Sequence, residues 1–216
     1  MNTCVITGAA SGIGAGLARH AASLGMKLVL ADWNKEALKR LAEDLPTEVL
    51  AVPTDVRDEV AVESLARAAF GQFGQVDLVF NNAGVLSSGL TWEIDAATWQ
   101  RSLAVNIGGV VNVIRAFVPR LIAADRPARI VNTSSLGGFL TSPFMAPYSA
   151  TKFAIVAISE ALAAELAATG SKVQVSLLAP GPVKSAIMDE PAPAPTAGFM
   201  EMLRGMSDEN GMSPDE

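Results

Sequence analysis

Six short apolar runs recur along this 216-residue chain, at residues 3–7, 27–31, 48–53, 76–80, 129–133 and 172–178. Each is rich in Val, Ile or Leu and nearly free of polar alternation, the pattern of strands buried on both faces of a parallel sheet. Between them lie segments with helical spacing, at 13–23, 35–43, 59–73, 96–123 and 148–168. Strict alternation of this kind demands right-handed βαβ crossovers. The expected fold is therefore α/β, a doubly wound parallel sheet with six strands. A chain of this length fills one core and falls short of two.

Charge divides the chain unevenly. The net charge is −6, and it all resides in residues 189–216, where seven acids face the single base Arg204. Pro191, Pro193 and Pro195 fall in the same stretch. We read residues 1–188 as one folded domain and 189–216 as an acidic, Pro- and Met-rich flap or tail. An acidic balance argues against a nucleic-acid partner. One Cys and one His exclude a disulfide framework and a His/Cys metal cluster. Cys4 reads as a small buried hydrophobe and His20 as a surface or packing residue. The start carries no basic region leading into an apolar stretch, and the most apolar long stretch, 105–124, holds Asn106, Asn112, Arg115, Pro119 and Arg120. It reads as a packed helix rather than a membrane span, which points to a soluble, cytoplasmic protein.

The first strand runs into Thr7-Gly8-Ala9-Ala10-Ser11-Gly12-Ile13-Gly14 and then an Ala/Leu-rich helix. Glycine permits a sharp turn and close approach of a pyrophosphate, and the free N–H groups at the helix start favour an anion. The spacing is G-x-x-x-G-x-G, and its place after the first strand points to a dinucleotide site. Asp32, 18 residues past Gly14, ends the second strand. An acid there accepts hydrogen bonds from ribose hydroxyls and repels a 2′-phosphate, so NAD is favoured. Lys35 lies close enough to leave NADP open.

Tyr148, the single tyrosine, stands four residues before Lys152. On a helix these side chains share a face, with Cβ atoms roughly 5–6 Å apart. A phenol becomes a base near neutrality only if its phenolate gains about 4 kcal/mol, equal to about three pKa units. A nearby ammonium and a cationic nicotinamide ring can supply that. Other candidate segments gather at strand ends: Asn81, Asn82, Ala83 and Gly84 after the fourth, Asn132, Thr133, Ser134 and Ser135 closing the fifth, Pro180, Gly181, Pro182 and Val183 after the sixth. This is the sheet edge where open α/β folds bind ligands.

With these elements in this order, the chain resembles the short-chain dehydrogenase/reductase family in its single-domain, Tyr-x-x-x-Lys branch, over residues 3 to about 188. The resemblance implies a Rossmann-like fold with a further, seventh strand, and a set of roles. Tyr148 would be the acid/base. Lys152 would lower its pKa and hold the nicotinamide ribose. Ser135 would bind the substrate oxygen, with Ser134 as its rival, and Asn106 would anchor a water and proton relay. Gly8, Ser11, Gly12, Ile13 and Gly14 would hold the pyrophosphate, and Asp55 and Val56 would flank the adenine. Asn82 and Ala83 would line the ribose side. Pro180, Gly181 and Val183 would border the nicotinamide, Val183 at the carboxamide. Ser185 stands where the family usually has Thr, which keeps a hydroxyl.

Three segments, 85–99, 136–147 and 185–206, should border a substrate cleft, with Leu86, Trp92, Leu140, Phe144, Met145, Met188, Phe199, Met200, Met202 and Met206. These residues suit an apolar secondary alcohol or its ketone, and equally suit core or subunit packing. The leading expectation is an NAD-dependent oxidoreductase. An NADP-preferring carbonyl reductase and a dinucleotide-binding protein without turnover are the alternatives. The helices at 96–123 and 148–168 keep apolar outer faces, which suggests a homodimer or homotetramer. Ser213, Pro214 and Glu216 carry a helix-start signal, so we expect the fold to continue past Glu216.

Overall fold

A computed structural model describes residues 2–184, 187 and 196–215. Met188, Pro191, Ser185 and the proposed boundary at 188 lie outside the described residues. Six parallel strands, β1 (Thr3–Thr7), β2 (Lys27–Asp32), β3 (Val49–Pro53), β4 (Leu78–Asn81), β5 (Ala128–Thr133) and β6 (Val173–Leu178), form one sheet in the order β3-β2-β1-β4-β5-β6. The order reverses direction between β1 and β4, so the loops after those strands diverge and open a crevice at the carboxyl edge. Each strand agrees with its expected run to within two residues.

The alternation of side chains along β1 distributes the core. Val5 faces one side with Val29 and Val79, packed against α3 (Glu59–Phe73), α5 (Gly109–Ala123) and α6 (Ala146–Ala168) through Val62, Leu65, Phe117, Leu121 and Leu162. Cys4 and Ile6 face the other, against α1 (Gly12–Ser23) and α2 (Lys35–Asp44) through Ala18, Ala22, Leu38 and Leu41. This double burial is why the runs lack polar alternation. Asp58 begins α3 by accepting the Val60 and Ala61 N–H groups, and Gly74 ends it in the left-handed conformation.

Two departures from the expected elements matter for the site. The stretch Ala96–Ala123 is long and apolar enough to cross a membrane, yet it packs Val110, Val113, Phe117 and Leu121 into the sheet's core. It also is not one regular helix. α4 (Ala96–Ser102) passes through a π-helical turn, Leu103–Gly108, before α5 begins. The second departure is α7 (Ala197–Asn210), a helix inside the acidic stretch read as a flap. It is seated rather than free: Thr196, Met200 and Ser207 are buried, and Ser207 Oγ donates to the Val183 carbonyl at 3.2 Å.

Candidate active site

The turn after β1 has the form of an anion cradle. Gly8 and Gly12 take positive φ, 65° and 49°. A Cβ on Gly14 would lie 2.0 Å from the Gly8 carbonyl oxygen, so the helix start and the turn touch backbone to backbone. Ser11 caps α1 in extended conformation without using its side chain, and the first turn carries no acid. The helix-end N–H groups are thus left for a ligand anion. Asn82 organises the cradle from the side: its Nδ2 donates to the Thr7 carbonyl at 3.1 Å, while Thr7 Oγ1 accepts the Asn82 and Ala83 N–H groups at 3.0 and 3.1 Å. Thr7 ties the two strands flanking the crevice, a part its hydroxyl could have announced from the β1 end.

Asp32 is buried where β2 meets this cradle. One carboxylate oxygen accepts the Ala10 N–H at 3.0 Å and the other the Asn34 N–H at 2.8 Å. Each oxygen keeps a further lone pair for a ribose hydroxyl. Asp55 is engaged by Arg57, whose Nε and Nη2 lie 2.6–3.0 Å from its oxygens. That guanidinium holds the Asp55 carboxyl below its ordinary range. Val56 packs its side chain against α5 so closely that a Cβ on Gly109 would stand 2.7 Å from it.

The chemistry gathers at the end of β5. α6 starts at Ala146 with Pro147 in its first turn, which places Tyr148 and Lys152 on one face. Lys152 Nζ lies 5.6 Å from the Tyr148 ring centroid and donates to the Thr133 carbonyl at 2.9 Å. Ser135 stands beside the Tyr148 hydroxyl and pulls its pKa down, but burial dominates and leaves it above the usual phenol value. Burial also lowers Lys152 to about 8. Ser134 turns away and donates to the Lys152 carbonyl at 2.9 Å, so Ser135 is the serine that faces Tyr148.

Asn106 sits in the π turn, fully buried, with its side chain wholly committed. Its Oδ1 accepts the Val85 N–H at 2.8 Å, and its Nδ2 donates to the Val85 carbonyl and to Thr151 Oγ1, each at 2.9 Å. A π turn shifts hydrogen bonds from i−4 to i−5 and so frees a main-chain carbonyl. A relay at Asn106 would run through the backbone, not the amide. Gly84 joins this group: a Cβ there would lie 3.3 Å from Asn106 Oδ1 and 3.5 Å from Lys152 Nζ. Beneath it, Asn81 Nδ2 donates to Asn132 Oδ1 at 3.1 Å, and Asn132 Nδ2 to Ser159 Oγ at 2.9 Å, fastening β4, β5 and α6 together. Asn132 stands at the strand end where the sequence places polar groups, whereas Ser159 and Thr151 carry no such signal, although Thr151 lies inside the Tyr148-to-Lys152 interval.

After β6, the Pro180 carbonyl accepts the Leu136 N–H at 3.1 Å, and a Cβ on Gly181 would meet Leu136 at 3.6 Å. Val183 pairs with Met212 in an isolated parallel bridge. The cradle, Asp32, the Ser135–Tyr148–Lys152 group and this segment therefore share the carboxyl edge of the sheet.

A family model described as short chain dehydrogenase matches residues 2–195. A 1-deoxy-11-beta-hydroxypentalenate dehydrogenase of Streptomyces exfoliatus is 42% identical over 83% of this chain. The match spans 66% of that relative, so this chain covers just under two thirds of its length. A short chain dehydrogenase/reductase from Burkholderia phymatum, solved in complex with NAD, superposes with TM-score 0.94 at 38% identity, over 99% of this chain and 82% of the other. A 3-ketoacyl-(acyl-carrier-protein) reductase from Brucella melitensis, complexed with NADH, gives 0.87 at 30% identity over 99% and 86%.

Proposed function

The chain belongs to the short-chain dehydrogenase/reductase family, and from that premise we propose that it is an NAD-dependent oxidoreductase interconverting an apolar secondary alcohol and its ketone. The observation that carries the reading is Tyr148, with Ser135 beside its hydroxyl and Lys152 one helical turn away, at the sheet edge that also holds the cradle. The cradle at Gly8, Ser11, Gly12, Ile13 and Gly14 and the Asp32 carboxylate fit the pyrophosphate and ribose of NAD. Asn82, Ala83, Pro180, Gly181 and Val183 line the remaining length, and Asp55 and Val56 stand at the adenine end. Bound there, NAD would supply the hydride acceptor for the carbinol carbon.

The rest falls to this chain's own groups. Ser135 donates to the substrate oxygen and fixes it beside Tyr148 Oη, which takes the hydroxyl proton as the C–O bond becomes a carbonyl. Burial alone opposes a Tyr148 phenolate. Lys152 counters it with positive charge at short range in a dry site, where Coulomb attraction is several-fold stronger than in water. The Thr133 carbonyl holds the ammonium in place. Asn106 would pass the proton outward through its main chain and Lys152. In the reverse direction the same proton returns from Tyr148 to the ketone oxygen.

The apolar substrate class is supported by the cluster beside Tyr148, where Leu86, Met145 and Met200 are buried with Ile187, Phe199 and Leu203 packed against them. We also assign the chain to the cytoplasm, without nucleic-acid or membrane partners. Self-association through the outer faces of α4 to α6 is part of the proposal, since Leu103 and Phe153 stand exposed there. The deciding experiment titrates NAD and NADP into the wild type and then assays Tyr148→Phe with a panel of apolar secondary alcohols. Turnover is abolished while NAD affinity stays within about twofold. Retention of a tenth of the activity overturns the assignment.

A further inference from the structure

Phe144 is one of two non-glycine residues with positive φ among the described residues, at 64°. A bulky aromatic avoids this conformation unless its surroundings enforce it. Two contacts do so. The Gly89 N–H donates to the Phe144 carbonyl at 2.8 Å. The ring meets Phe199 edge-on, with centroids 5.3 Å apart and planes at 64°. Phe199 belongs to the first turn of α7, and its neighbour Met200 is buried against Tyr148, Met145 and Leu86. Met145, in turn, is the N-cap of α6, three positions before Tyr148.

The strained residue thus sits at the junction between the loop carrying Ser135 and the helix carrying Tyr148, and it aims its ring at the helix that covers the phenol. We propose that Phe144 is a positioning residue, whose ring clasps Phe199 and seats α7 over Tyr148. The proposal rests on the assignment of Tyr148 as acid/base. The left-handed backbone turns the ring toward α7, and edge-to-face attraction between the rings returns part of the cost of that conformation. Loss of either ring releases α7 at its first turn, lifts Met200 from the phenol, and widens the entry for an apolar substrate. The unbranched Met200 side chain can then repack around whatever enters.

The test compares Phe144→Gly, which removes ring and strain together, with Phe144→Ala, Phe199→Ala, the double alanine variant and Phe144→Tyr. Hydrogen exchange is read by mass spectrometry over residues 197–210, with α3 as internal reference, in the full chain with and without NAD. Each single ring deletion speeds exchange in α7 at least tenfold and leaves α3 unchanged. The double variant goes no further than either single one, because both remove the same contact, and Phe144→Tyr keeps wild-type protection. With 1-phenylethanol as probe, the deletions raise KM at least fivefold and leave kcat within twofold. Unchanged α7 exchange in Phe144→Gly, or independent effects that multiply in the double variant, overturns the clasp. Should the wild type neither bind NAD nor oxidise the probe, the functional reading fails, and the exchange data still decide the clasp. Phe144→Gly and Phe199→Ala carry the test if Phe144→Ala fails to fold.

Discussion

Asn106 donates through Nδ2 to Thr151 Oγ1 at 2.9 Å, and Thr151 in turn donates to the Tyr148 carbonyl at 2.7 Å. Both residues are wholly buried. The π turn and the first turn of α6 are thereby joined by a short side-chain bridge directly behind the proposed acid/base. Replacing Thr151 by Val preserves shape and removes the acceptor, leaving a buried amide hydrogen unsatisfied. The loss is about 1–3 kcal/mol of stability, read as a lowered urea midpoint. Because Tyr148 is repositioned while the cradle is untouched, kcat falls and NAD affinity holds. Thr151→Ser restores both stability and kcat. A parallel loss of NAD affinity in Thr151→Val would show instead that the whole edge had loosened.

Two glycines in helices separate close approach from simple vacancy. A Cβ at Gly14 would strike the Gly8 carbonyl at 2.0 Å, whereas one at Gly71 in α3 meets nothing within 4 Å. Gly14→Ala therefore forces the cradle apart and weakens NAD binding at least a hundredfold by titration. Gly71→Ala leaves binding unchanged and stabilises the fold by roughly 0.5–1 kcal/mol, through helix propensity and reduced freedom of the unfolded chain. Urea melts of the two variants should move in opposite directions.

Why these features were or were not legible follows from what each leaves in the sequence. Strands buried on both faces, such as β1 and β2, produce unbroken apolar runs, and the partly exposed edge strands β3 and β6 keep enough Val and Leu to be placed by the same pattern. Tyr148 and Lys152 could be paired because helical spacing alone puts them together. The π turn leaves no such mark: the apolar pattern runs on through Leu103–Gly108, and Asn106 was the single discordant residue. α7 was hidden because its acids and the flanking prolines resemble a solvated segment, and what orders it is tertiary, the burial of Met200 and Ser207. The choice between Ser134 and Ser135 depends on which way successive side chains turn at the end of β5, and the family resemblance favoured Ser135 without revealing that Ser134 holds the Lys152 carbonyl. Nor does sequence report how strongly burial opposes charge on both Tyr148 and Lys152.

That burial has a measurable pH signature. Lys152 titrates at about 8 when folded, against an ordinary value of 10.5. Between these limits the unfolded chain keeps the proton and the folded chain has released it, so stability rises with pH across the window. Below pH 8 both states are protonated and the penalty for burying the charge is present in full. The raised Tyr148 pKa acts in the opposite sense, but only above the ordinary phenol value of 10. Lys152→Met removes the lysine contribution. The difference in unfolding free energy, wild type minus variant, should grow by about 1.5 kcal/mol from pH 8 to 9.5, with a limiting slope of about 1.4 kcal/mol per unit. Chemical denaturation at several pH values checks it, and a flat difference would mean that the ammonium stays charged in the folded protein.

In the proposed reading Asp32 selects the cofactor, and its geometry divides that selection into two parts. The carboxylate holds the Ala10 and Asn34 N–H groups with separate oxygens, so it shapes the cradle as well as meeting a ribose. Its charge is what repels a 2′-phosphate. Asp32→Ala removes both functions: two main-chain donors lose their acceptor, the turn at Ala10 relaxes, and NAD affinity falls at least tenfold. Asp32→Asn removes the charge and one acceptor while keeping the other oxygen. It should lose less NAD affinity than the alanine variant and gain more NADP affinity, since the cradle stays closer to its native form. Titration of both dinucleotides into the three proteins by calorimetry gives the ratio directly. Wild type should prefer NAD, Asp32→Ala should bind both weakly with the gap narrowed, and Asp32→Asn should come nearest to parity. Equal or tighter NADP binding by the wild type would reject Asp32 as the discriminating residue.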